Sequence, residues 1–100
     1  MDSYVIRRPS AWANLEELQA AGAKSATIGT EEMSDRVRWI RSYVVEEPDG
    51  RLGAVCIYQA RDPESLREHA RRVGMPGDQI FPILDTIVVR EDPATKTEAA

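Results

Sequence analysis

The stretch "RVRWIRSYVVEEPDGRLGAVCIYQA" constrains the fold more than any other part of this chain. Two β-prone runs, residues 37–45 and 52–59, flank Pro48-Asp49-Gly50, whose backbone preferences suit a tight turn. The pair reads as a β-hairpin. Side chains alternate across a strand, so Ala54, Cys56 and Tyr58 point one way while Val55 and Ile57 point the other. On the first run, Trp39 and Tyr43 oppose Ile40 and Val44. A sheet built on this hairpin is apolar on both faces and needs two covers.

Flanking segments supply one of them. "SYVIRR", residues 3–8, is a short strand that Pro9 ends. Leu15, Leu18, Ala21, Ser25 and Ile28 recur at three- and four-residue steps, which predicts an amphipathic helix. Asn14 can cap it, with Glu17 as the second half of a capping-box-like pair. Gly22 weakens that helix, and Gly29 either stops it or lets it run into "TEEM". A second helix opens with Asp62 as N-cap and Pro63 at its first position. It turns Leu66, Ala70 and Val73 inward and ends at Gly74. "IFPILDTIVV", residues 80–89, predicts a last strand in which Phe81, Ile83 and Ile87 oppose Leu84 and Val88, with Pro82 marking an edge or a bulge.

The resulting order, β-α-β-β-α-β, joined by right-handed crossovers, gives an α+β ferredoxin-like fold. Its four-stranded antiparallel sheet carries both helices on one face. A single domain is expected over residues 1–90, followed by a polar tail, 91–100, with the composition of a disordered segment. The face without helices would be a larger apolar patch than a soluble monomer tolerates. A homodimer packed sheet against sheet, a dimeric α/β-barrel-like assembly, is therefore expected.

The formal charge of −4, with no basic run longer than two residues, argues against nucleic acid as a partner. No window reaches the length of a membrane span and the N-terminus has no apolar export segment, so a cytoplasmic protein without a membrane partner is expected. The lone cysteine, Cys56, can form no internal disulfide. Glycine-rich phosphate loops, nucleophile elbows and metalloprotease motifs are absent.

Taken together, Trp39, Ser42-Tyr43-Val44, Cys56, Tyr58, Ala60, Glu68-His69-Ala70, Gly74 and Pro76 resemble a family of small bacterial proteins of unknown function whose best-known member binds nickel. Element order extends the likeness over residues 3–90, and its specific part is 37–80. The resemblance implies a ferredoxin-like protomer, a dimer and nickel binding. By motif it carries over a single ligand, His69.

His69 is the only histidine of the chain and flanks the buried stripe of the second helix. It is either an imidazole bonded to a nearby backbone carbonyl or carboxylate, or a metal ligand or general base. Imidazole and thiolate together suit nickel or another divalent transition metal, which makes Cys56 a candidate second ligand beside its plainer role as a small buried hydrophobe. Asp85 interrupts an apolar run and is the candidate carboxylate, or else a surface charge. Trp39, Tyr43 and Tyr58 fill core and interface, or line a small pocket with His69 at its rim. That second reading is an enzyme of the isomerase, cyclase or monooxygenase kind, acting on a small-molecule ligand with His69 as base and Tyr58 as donor. Arg38, Arg41, Arg71 and Arg72 are read as a solvated face paired with Glu64 and Glu68 in preference to an anion site.

Overall fold

The computed structural model describes residues 1–94, so the last six residues of the expected polar tail lie outside the described residues. Six elements follow one another: β1 (Asp2–Trp12), α1 (Leu15–Glu31), β2 (Val37–Glu46), β3 (Leu52–Ala60), α2 (Pro63–Val73) and β4 (Gln79–Pro82). The strands form one antiparallel sheet in the order β2-β3-β1-β4. This is the ferredoxin-like arrangement, with α1 and α2 packed against one another.

Local chemistry accounts for both helices. The Asn14 side chain accepts from the Glu17 amide at 2.9 Å, and Glu17 in turn accepts from the Ala13 amide at 3.0 Å. These bonds satisfy orphan donors at the start of α1. Gly29 does not stop the helix, which runs on to Glu31. Asp62 caps α2 by accepting from both the amide and the hydroxyl of Ser65 at 2.7 Å, and Gly74 ends it at φ 86°. That left-handed conformation is open to glycine at little cost.

Three expectations about the strands need correction. β1 does not end at Pro9 but reaches Trp12, because the register slips between Arg8 and Trp12. A bulge removes the need for an amide at the proline, so Pro9 is tolerated there. β4 is four residues long instead of running from 80 to 89. Its last pair is Tyr4 with Pro82, followed by one bond from the Ile83 amide to the Ser3 carbonyl, and the pairing with β1 stops there. The chain beyond leaves the sheet with Leu84 95% and Ile87 87% exposed.

The third correction concerns faces. A bulge at Ile40, between Trp39 and Arg41, breaks the alternation of β2. Trp39, opposite Tyr58, therefore shares the helix-covered face with Ser42 and Val44, whereas Tyr43, opposite Val55, turns to the other. One extra residue flips everything after it. The inner face carries Tyr4, Ile6, Arg8, Ala54, Cys56, Tyr58 and Ala60, all buried. The outer face carries Val5, Tyr43, Val55, Ile57 and Phe81, with Tyr43 44% and Phe81 49% exposed. The outer face is mixed, because Arg7, Arg41 and Gln59 share it with these apolar residues. No helix among the described residues is long and apolar enough to cross a membrane.

Candidate functional site

α1 lies lightly on the sheet. Only Ser25 and Ile28 of its seventeen residues are buried, and Leu15 faces solvent. Gly22 and Ser25 are the small residues on the side facing β2 and β3, and a Cβ built on Gly22 would meet the Trp39 ring at 3.8 Å. A helix with small residues facing a sheet cannot fill the space beneath it. The result is a cavity of about 240 Å³ between α1 and the inner sheet face. Trp12, Leu18, Trp39, Val44 and Tyr58 line it, and Arg8 and Cys56 also border it.

Tyr58 is the centre of this region. Trp39 stacks on it with ring centroids 6.2 Å apart and planes 12° from parallel. The His69 ring meets it edge-on at 5.7 Å, and the Arg8 guanidinium lies over its ring at the same distance, 5.7 Å. The phenol oxygen is 3.3 Å from Ser25 Oγ. Burial pushes the Tyr58 hydroxyl above its usual range, so it stays protonated at neutral pH. The Trp39 indole donates to Ser42 Oγ at 2.8 Å, which fixes the ring.

Arg8 is the polar residue the sequence reading passed over. Its side chain is buried, with the residue 1% exposed, and Nε donates to the Pro76 carbonyl at 2.7 Å. Nη1 and Nη2 are buried and have no hydrogen-bond partner among the described residues. Strand parity carries a signal for this placement, since Tyr4, Ile6 and Arg8 occupy alternate positions and share the inner face.

His69 is also 1% exposed. Its Nε2 lies 3.1 Å from the Ser25 carbonyl oxygen and must donate to it, because a carbonyl only accepts. The imidazole thus ties α2 to α1. It borders a second depression, shared with Gly29, Thr30 and Ser34, and is not in the wall of the Tyr58 cavity. Burial, first of all, holds its pKa below the usual imidazole range.

The three residues considered as metal ligands do not converge. Cys56 is buried in the Tyr58 cavity wall, His69 borders the other depression, and Asp85 lies past the end of β4, accepting from the Thr86 amide. Among the described residues no group of three or more histidines, cysteines or carboxylates could hold an ion. With one imidazole nitrogen already engaged, these side chains do not fit a nickel centre within one protomer. Of the pocket candidates, Trp39 and Tyr58 share the cavity, whereas Tyr43 is on the outer face and donates to Asp92 at 2.7 Å. Arg71 pairs with Glu64 and Arg72 with Glu68, while Arg41 pairs with Asp92 and Arg38 bonds Gln59.

Comparison with known proteins places this geometry. The family model described as nickel responsive protein SCO4226-like matches residues 4–83. The chain therefore belongs to that family. Among solved structures it is similar to the one titled "Crystal structure analysis of SCO4226 from Streptomyces coelicolor A3(2)", with a TM-score of 0.68 and 13% sequence identity. The match covers 85% of this chain and 99% of that one, and at this identity it shows the fold. No curated protein matches.

Proposed function

We propose that this member of the nickel responsive SCO4226-like family is a small-molecule-binding protein that holds its ligand in the cavity between α1 and the sheet. One observation carries the reading: the cavity is walled by three aromatic rings on the inner sheet face, and small residues of α1 keep it open. Apolar walls with a few converging polar groups are the usual make-up of ligand sites. In this reading the protein is a cytoplasmic homodimer, joined through the outer sheet face. The free, buried Cys56 suits a reducing compartment, and the apolar residues on the outer face suit a second copy.

Trp12 and Trp39, the two tryptophans of the chain, both border the cavity, so intrinsic fluorescence reports on its contents. Titration with phenylacetamide is expected to change the emission saturably. Gly22→Leu, which fills the space beneath α1 with a good helix former, is expected to abolish the change. An unaltered titration in Gly22→Leu would sink the reading.

The family description speaks of a response to nickel, and a metal-linked role through His69 is the second reading. A separate titration decides whether His69 takes part. Calorimetry with nickel on the protein and on His69→Ala is expected to give equal, negligible heats. Heats that disappear in the variant would make the imidazole a ligand and displace the cavity as the functional centre.

A further inference from the structure

We propose that the ligand of this cavity is a small carboxylic acid whose carboxylate pairs with the buried Arg8 guanidinium while its apolar body lies against Trp12, Leu18 and Trp39. The inference rests on the ligand-binding reading above and adds the chemistry of the head group.

A guanidinium keeps its charge at any accessible pH, and burying such a charge without a partner is strongly unfavourable. Arg8 takes part in none of the ion pairs among the described residues. No residue in the cavity wall is acidic. Stacking over Tyr58 offsets part of the cost, because the ring face attracts a cation. It leaves the hydrogen-bonding capacity of Nη1 and Nη2 unused.

The bond from Nε to the Pro76 carbonyl fixes the plane of the fork, so the two terminal nitrogens are held as a pair. That is the geometry a carboxylate meets with two parallel hydrogen bonds. A phosphate also accepts from such a fork, but it carries more charge. Among the described residues Arg8 is the one charged side chain bordering the cavity, which matches the single charge of a carboxylate better than the higher charge of a phosphate. Size agrees as well. A volume of about 240 Å³ is enough for a compact aromatic or branched aliphatic acid.

Fluorescence titration with phenylacetate and 4-methylpentanoate, each beside its neutral amide, tests the inference on the full chain. The acids are expected to bind at least tenfold more tightly than the amides. Arg8→Met is expected to bind acid and amide alike, and Arg8→Lys, which keeps the charge and loses the fork, to retain part of the preference. Equal binding of acid and amide by the unmodified protein overturns the role of Arg8 and leaves the cavity reading intact. Failure to bind any of the four compounds, or undiminished binding by Gly22→Leu, overturns both. Inorganic phosphate that competes as well as phenylacetate would replace the carboxylic acid by a plain anion and overturn the assignment. Should Arg8→Met fail to fold, the acid-to-amide ratio of the unmodified chain and Arg8→Lys still decide.

Discussion

Two buried basic side chains, one on β1 and one on α2, are put to different uses. Arg8 is buried at the border of the cavity with its terminal nitrogens unpartnered; His69 donates to the Ser25 carbonyl and holds two helices together. Burial disfavours the imidazolium, Arg8 and Arg72 repel it, and the bond to Ser25 only partly opposes them. The sign follows from linkage. The unfolded chain takes a proton near pH 6.5, before the folded one does, so stability is full above about that pH and declines as pH falls towards the lowered folded value. Hydrogen bonds lower the pKa of Asp62 from Ser65, of Glu64 from Arg71 and of Glu68 from Arg36, so their contributions are lost only at more acid pH. Thermal melts between about pH 6.5 and 5 should therefore show a loss of stability in the wild type that His69→Gln flattens. Equal slopes for the two proteins would show that the imidazole is not the titrating group.

Helix caps and close approaches place the cavity, and each has its own test. Asp62→Ala removes the acceptor for two Ser65 donors and is expected to cost about 1 kcal/mol in urea unfolding. Gly77 packs so closely on α2 that an added Cβ would stand 2.4 Å from the Ala70 Cβ. Gly77→Ala should therefore destabilise by about 1–3 kcal/mol. It should also loosen the Pro76 carbonyl that anchors Arg8. An unchanged melting temperature would show that the α2–β4 loop moves aside freely. Both helices and the hairpin were legible in the sequence because caps, apolar period and turn residues agree. Where a bulge intervenes, no such agreement exists. Nothing in "RWIRS" marks Ile40 as an extra residue, so the facing of Tyr43 was inverted, and Pro9 hid a strand that continues past it. Residues 84–89 look like strand by composition, yet a strand needs a partner, and none of them pairs with β1. Arg8 escaped notice for a plainer reason: arginine is expected outside, and only its parity with Tyr4 and Ile6 placed it within.

For the molecule as a whole, the sheet has one face shielded incompletely by helices and one that, among the described residues, carries no helix and meets its own chain at Asp92, bonded to Arg41 and Tyr43. The incomplete shield is the cavity. The face without helices, with Val5, Tyr43, Val55, Ile57 and Phe81, is the surface proposed for a second copy, and Leu84, Ile87, Val88 and Val89 are exposed apolar residues besides. Sedimentation is expected to show a dimer at micromolar concentration, and Ile57→Lys a folded monomer; a monomeric wild type would remove that interface. The claim on which function depends is the cavity itself, and the indole N–H resonances of Trp12 and Trp39 observe it directly. In a two-dimensional nitrogen–proton spectrum titrated with phenylacetate, both indole signals should shift saturably and together with the Arg8 Nε–H, while amides of Val55 and Ile57 stay in place. Shifts confined to the outer-face residues, or none at all in the two indoles, would contradict it.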